Sequence, residues 1–211
     1  MNNLSLDNFN PIQQPTVRHS RLLENDCKRL KELLETNGFK REVANEGGGK
    51  DFELAVEAIK KAFECGRGLL VLGLPGCGKT SLVKALFKII SFEISRWIDA
   101  KSPNSLQWLR ESSEFYMEQS VFVDDLGAEE VYHEYGNVYD VVGDFVQRFH
   151  YGRRNGAFFY ATSNLGLSKP LQAGGKTING KYGSRVYDRL CEDCVVLMMH
   201  GKSKRQPMFV F

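Results

Sequence analysis

The stretch Gly73-Leu-Pro-Gly-Cys-Gly-Lys-Thr80 constrains the fold more than any other, because it follows an apolar run, Leu69 to Leu72, that matches a buried strand. Its glycines let the backbone curl until several N–H groups face one anion, and a helix opening at Thr80 adds its positive dipole end. ATP is the expected ligand, with Gly73, Pro75, Gly76, Cys77, Gly78, Lys79, Thr80 and Ser81 around its phosphates. Lys79 is placed to reach the β- and γ-phosphates, and the Thr80 hydroxyl to hold Mg²⁺. A glycine-rich turn that matched by chance would need neither the strand before it nor the helix after it.

A second buried run, Val121-Phe122-Val123, ends in Asp124-Asp125-Leu126-Gly127. Asp124 at the strand end is expected to orient Mg²⁺ through its water shell, and Asp125 to polarise the attacking water as general base. Many phosphate-loop ATPases carry the longer Glu at that second position. A third run, Ala157 to Thr162, ends in Ser163-Asn164. In a parallel sheet the carboxyl ends of neighbouring strands share one crevice, which would set Asn164 beside Asp124 and the γ-phosphate. On its own, an Asn after a strand is a turn former. Arg185 and Arg189 stand four residues apart in Gly183-Ser-Arg-Val-Tyr-Asp-Arg-Leu190 and share one face of a helix. One of the two is expected to reach a neighbouring subunit's γ-phosphate as an arginine finger. The alternative is a solvated helix with Asp188 pairing locally.

In this order the motifs resemble those of AAA+ ATPases of the bacterial and phage helicase-loader type, the DnaC and DnaI family, with IstB transposition ATPases as relatives. Gly73 to Thr80 is similar to their Walker A, and Val121 to Glu129 to their Walker B with its Asp-Asp-Leu-Gly-Ala-Glu extension. Thr162-Ser-Asn164 resembles sensor 1, Arg185-Val-Tyr-Asp-Arg-Leu190 resembles box VII, and His200-Gly-Lys-Ser-Lys-Arg205 resembles the basic stretch that closes the family domain. The resemblance covers about residues 50 to 206. It implies a P-loop NTPase core, ATP hydrolysis at subunit interfaces, self-association and a replicative helicase as partner. Two departures stand out. Lys79 and Asp124 are only 45 positions apart, which leaves little room for an extra helix against single-stranded DNA; Asn164 and Arg185 are 21 apart, a long loop containing Gly174, Gly175 and Gly180.

The rest of the chain fits one α/β domain with an appendage. Of its 211 residues 42% are hydrophobic, enough for a core. A net charge of +2 is too small to imply nucleic acid by itself, so any DNA contact must come from local clusters such as Arg148, Tyr151, Arg153 and Arg154. Helix-end basic residues complementing the dipole explain that cluster equally well. No apolar run is long enough to span a bilayer and the polar start lacks a signal peptide's regions, so a cytoplasmic protein without membrane contact is expected. Cys191 and Cys194 form a lone CxxC without the two further ligands of a zinc site.

Leu22 to Leu34 carries an amphipathic pattern, a partner-binding helix at about residues 20 to 36 within an appendage of residues 1 to 49, with packing back on the ATPase domain as the alternative. Gly47-Gly48-Gly49 marks the boundary with an ATPase core of residues 50 to 211. Phe52, Val56, Ile59 and Phe63 follow helical spacing, as do Leu82, Leu86 and Ile89 after the loop. Phe92 to Ile98 reads as a strand, and Ser102-Pro103 as the start of a helix carrying Leu106 and Leu109. Val138, Val141, Val142, Phe145 and Phe149 form another helical stripe, and Cys194 to Met199 a last strand. Strands joined by helices predict a parallel sheet covered on both faces, with little or no helical lid after it. The expected activity is that of an ATPase in DNA replication, a DnaC-like helicase loader. An IstB-like transposition ATPase, a P-loop small-molecule kinase and a module that holds ATP without turnover are the alternatives.

Overall fold

In the computed structural model, residues 27–45, 50–89, 94–111, 120–130, 132–134, 137–153 and 157–201 are described. Helix α1 (Cys27–Thr36) and the short α2 (Arg41–Ala44) precede α3 (Asp51–Glu64). Strand β1 (Gly68–Gly73) leads through the phosphate loop into α4 (Lys79–Ile89), followed by β2 (Ile94–Asp99) and α5 (Pro103–Glu111). After β3 (Ser120–Leu126) comes a small antiparallel hairpin, β4 (Tyr132–Glu134) and β5 (Asn137–Tyr139). Then follow α6 (Val141–Gly152), β6 (Phe159–Ser163), α7 (Ile178–Asp193) and β7 (Cys194–Met199).

The five longer strands form one parallel sheet in the order β2-β3-β6-β1-β7. Both faces are buried, and the pleat divides each strand between them. Leu69 and Val71 of β1, Phe122 of β3 and Tyr160 of β6 pack with Leu34, Phe52, Ile59 and Leu82 of α1, α3 and α4. Leu70 and Leu72, Val123, Phe159 and Ala161 point the other way, onto Leu109, Phe145, Phe149 and Leu190 of α5, α6 and α7. Two-sided burial is why these strands read as continuous apolar runs rather than as alternation. The expected fold class, an α/β core with helices flanking a parallel sheet, is the observed one.

Two details go beyond the spacing argument. Val138 belongs to the hairpin strand β5, not to the helical stripe. The helix begins only at Val141, where the Asp140 carboxylate caps it by accepting from Gly143 N at 2.9 Å. The apolar stripe of α1 is turned inward: Leu30 and Leu34, with Phe39 beyond them, lie in the same core cluster as α3. Phe39 stacks on Phe52 with centroids 5.6 Å apart, so Leu30 and Leu34 of the stripe serve the chain's own core. Leu22, Leu23, the Gly47–Gly49 boundary and Phe92 lie outside the described residues. Among the described residues no helix is long and apolar enough to cross a membrane.

Asp51 closes the core in a way no local pattern announces. Its carboxylate is fully buried and accepts from His200 N at 2.9 Å and Gly201 N at 2.6 Å, tying the start of α3 to the chain just past β7.

Candidate nucleotide site

Between β1 and α4 the chain turns at Gly76 (φ 83°) and Gly78 (φ 105°), left-handed positions that suit glycine. A Cβ on Gly73 would stand 2.7 Å from Cys77 Sγ and 2.9 Å from Met199 O, so the loop is pressed against the end of β7, with the buried Cys77 as its apolar peg. Lys79 is 5% exposed. Its ammonium donates to Gly73 O at 2.8 Å, Leu74 O at 3.0 Å and Asn164 Oδ1 at 2.8 Å. Burial holds its pKa below the ordinary lysine range, opposed by the nearby Asp125 and Asp124 carboxylates.

The acidic pair sits where β3 leaves regular pairing. The register with β6 shifts between Val123 and Leu126, and Asp125 takes φ 57°, the only positive φ at a non-glycine among the described residues. A shift of this kind re-aims side chains at a strand end. Asp124 Oδ1 accepts from the Thr80 hydroxyl at 3.1 Å and from the Thr162 hydroxyl at 2.6 Å. Thr162 Oγ1 in turn accepts from Asp125 N at 2.9 Å, so one threonine fixes both carboxylates. Asn164 Nδ2 donates to Asp125 Oδ1 at 3.3 Å, and Lys101 donates to Asp125 Oδ2.

Strand order explains the convergence. Because β6 lies between β1 and β3, its carboxyl end delivers Thr162 and Asn164 into the space between the phosphate loop and the acidic pair. Lys79, Thr80, Asp124, Asp125 and Asn164 are thus brought together as the sequence suggested. Thr162 was given no role of its own; a threonine hydroxyl at the fully buried carboxyl end of the strand is the signal that marks it. Lys101 carries no signal, since a lysine after an edge strand reads as solvated.

The donor set fits a nucleoside triphosphate with Mg²⁺. Glycines at positive φ let the loop wrap an anion, α4 aims its N-terminus at the same point, and Thr80 and Asp124 pair a hydroxyl with a carboxylate as oxygen ligands. Pro75 lies on the exposed outer side of the loop and Ser81 is exposed in the first turn of α4.

The two arginines lie elsewhere. Arg189 donates to Glu192 Oε2 at 2.7 Å and to Tyr151 OH at 2.8 Å, and its guanidinium lies 5.1 Å from the Tyr151 ring centroid. Arg185 is exposed and makes no hydrogen bond or ion pair among the described residues. Both line a cavity of about 360 Å³ with Arg67, the residue before β1. That is the amino end of the strand whose carboxyl end carries the loop, about 20 Å away for six residues of strand. Within one chain, therefore, the arginines do not join Lys79 and Asp124.

Beyond the acidic pair, Glu129 is fully engaged. It accepts from Gly127 N at 2.9 Å, Lys181 Nζ at 2.9 Å and the Tyr182 hydroxyl. Burial first, and Glu129 second, push the Tyr182 phenol far above its usual pKa. Gly127, Glu129 and Lys181 border a cavity of about 960 Å³ walled also by Asp140, Pro170 and Lys176. The long loop after Asn164 is pinched shut where Gly166 N donates to Lys176 O at 3.2 Å and Ile178 N to Gly166 O at 2.8 Å. The Arg148 cluster is spent internally. Arg148 donates to Leu109 O at 2.7 Å and to Asp144 at 3.0 Å, and Arg153 pairs with Asp193 at 3.1 Å; Arg154 lies outside the described residues. Cys194 is buried and donates to Phe159 O at 3.2 Å, and burial pushes its thiol well above the usual range. The basic stretch beyond Gly201 lies outside the described residues.

No protein-family model matches the chain, and no curated protein matches it. Among solved structures, the crystal structure of DnaI aligns with a TM-score of 0.50 at 20% identity, covering 79% of this chain and 94% of DnaI. This chain has the DnaI fold. A further similar structure, C. elegans PCH-2, gives a TM-score of 0.38 at 14% identity over 89% of this chain and 43% of its own. On the DnaI-like core the phosphate loop, the acidic pair and Asn164 occupy one end of the sheet and the two arginines flank the other.

Proposed function

We propose that the chain is an ATP-hydrolysing AAA+ protein of DNA replication, a helicase loader of DnaC and DnaI type, that works as a side-by-side assembly with each nucleotide between two subunits. The observation that carries the ATPase reading is the shared oxygen of Asp124. Thr80 from the phosphate loop and Thr162 from β6 both donate to Oδ1, which leaves Oδ2 available to the water shell of Mg²⁺. The loop amides and Lys79 bind and orient the triphosphate. Asp125 takes the proton of the attacking water, and Asn164, already between Lys79 and Asp125, orients that water. Bound Mg²⁺ supplies charge neutralisation across the β- and γ-phosphates.

The opposite placement of the arginines supports a shared site. A guanidinium about 20 Å from its own loop serves a neighbour's nucleotide in a head-to-tail arrangement, which exposes a different surface on each side. Arg185 is the finger in this reading, because Arg189 is already held by Glu192 and Tyr151. Loss of the γ-phosphate would release the interface, which makes hydrolysis a switch. A helicase partner would meet α1 through its outer face of Lys28, Arg29, Glu32 and Glu35, or through the segment before Cys27.

Phosphate release from ATP, measured with and without a replicative helicase and single-stranded DNA, tests the proposal. Turnover that disappears in Lys79→Ala and Arg185→Ala, together with helicase capture, is the expected result. No ATP turnover under any of these conditions would overturn the enzymatic reading. Turnover without helicase association would overturn the loader reading alone.

A further inference from the structure

The cavity at the amino end of β1 contains one guanidinium that no motif singles out. Arg67 shares it with Arg185, Asp188, Arg189, Cys191 and Glu192. The local acids are mostly committed. Glu192 binds Arg189 at 2.7 Å, and the buried Asp193 is held by His150 at 3.0 Å and Arg153 at 3.1 Å. Asp188 alone remains to set against Arg67 and Arg185, neither of which has a hydrogen bond or ion pair among the described residues. The Arg189 Nε atom is buried with no acceptor, an unusual state for a charged donor and one that an incoming anion would relieve.

Arg67 is also well anchored. Its N–H donates to Ala62 O at 2.9 Å after the left-handed turn at Gly66, and pairing with β7 begins at the next residue, Gly68 opposite Cys194. A guanidinium at the start of this inner strand and one on α7 line the same cavity from two different elements. That placement is what planar, multi-oxygen anions select.

We propose that Arg67 is a further phosphate-binding residue supplied in trans, acting with Arg185 on the triphosphate of the nucleotide held by an adjacent copy of the chain. This rests on the shared-site reading above. Arg67 stands about 20 Å from its own phosphate loop along β1, so the triphosphate it meets belongs to another subunit.

Self-association driven by a non-hydrolysable ATP analogue, followed by sedimentation velocity beside turnover, tests this. Diluted to the monomer, Arg67→Ala is expected to bind the analogue in its own loop as the native monomer does, yet at higher concentration to self-associate at least tenfold more weakly and to lose turnover. Arg67→Lys, which keeps the charge but not the planar fork, is expected to recover association in part. Lys79→Ala subunits lack the loop's lysine but retain all the arginines, so mixing them with Arg67→Ala should restore both association and turnover. Arg185→Ala in parallel separates the two ideas. If Arg185→Ala is impaired and Arg67→Ala is not, or if mixing never rescues Arg67→Ala, the assignment of Arg67 falls and the shared site stands. If neither variant is impaired, or the native chain does not associate with nucleotide, the shared site falls and Arg67 with it.

Discussion

The Lys79 ammonium and the Asn164 carboxamide oxygen meet at 2.8 Å across 85 positions of sequence, and the amide nitrogen of the same Asn164 donates to Asp125 at 3.3 Å. One side chain therefore spans the phosphate-binding and the acidic halves of the site. Asn164→Ala removes that span while the loop and its backbone amides stay, so nucleotide binding should change by no more than a few-fold. Turnover should fall by about 100-fold, the usual cost of losing one positioned polar group near developing charge. Steady-state phosphate release beside equilibrium nucleotide binding checks the split. An equal loss in both would make Asn164 a part of the loop's architecture instead.

Lys79 predicts a stability effect of the opposite sign to its function. Burial lowers its pKa from 10.5, so the unfolded chain binds that proton more tightly than the folded one. The folded state is penalised at all pH values below the depressed pKa, and the penalty fades as pH rises towards 10.5. The stability of the native chain should therefore carry a rising component as pH climbs towards 10.5, and Lys79→Met should lack that component while nucleotide affinity is lost. Denaturant unfolding of both proteins between pH 7 and pH 10 reads this directly, and identical pH dependence in the two would refute it.

How much of this was legible depends on range. The phosphate loop is local: strand, turn and helix are contiguous, and the sequence shows all three. The sheet strands were equally visible because burial on both faces gives unbroken apolar runs. The contacts of Asn164 and Thr162 follow instead from β6 lying between β1 and β3, an order that packing sets. Asp51 bonding to His200 and Gly201 spans about 150 positions, beyond any periodicity. Val138 misled because a hairpin residue three positions before Val141 happens to continue a helical spacing. In α1, Leu30 and Leu34 pack onto the chain's own core, an outcome that tertiary packing sets and helical spacing does not encode.

Glu129 and Tyr182 form a load point between the acidic strand end and α7. Tyr182→Phe deletes one bond while Glu129 keeps Lys181 and Gly127, which should cost about 1 kcal/mol. Glu129→Ala leaves the Tyr182 hydroxyl buried without its acceptor and should cost about 2–3 kcal/mol. The raised phenol pKa adds a pH signature. The unfolded chain ionises Tyr182 from pH 10.0 upward while the folded chain does not, so stability falls above that pH in the native chain. Tyr182→Phe should lose its own share of that slope. Unfolding curves between pH 8 and 11 decide it, and identical slopes in both proteins would show that Tyr182 is not the group responsible.

Asp125 and Lys101 separate the carboxylate proposed as general base from its exposed partner. Asn is the informative replacement at 125 because the residue sits at φ 57°, a conformation Asn tolerates and Ala does not. Asp125→Asn keeps the backbone and the acceptor for Asn164 but cannot take a proton, so nucleotide binding should persist while turnover drops by about 10²–10⁴-fold. Lys101 is 56% exposed, and exposed ion pairs contribute about 0–1 kcal/mol, so Lys101→Ala should alter turnover by no more than about fivefold. Raising the salt concentration should narrow the difference between the native chain and the Lys101→Ala variant. Single-turnover hydrolysis with both variants at two ionic strengths measures the contrast. Should Lys101→Ala lose as much as Asp125→Asn, the ammonium itself belongs to the reacting centre, and the proton of the attacking water is handled by the pair rather than by Asp125 alone.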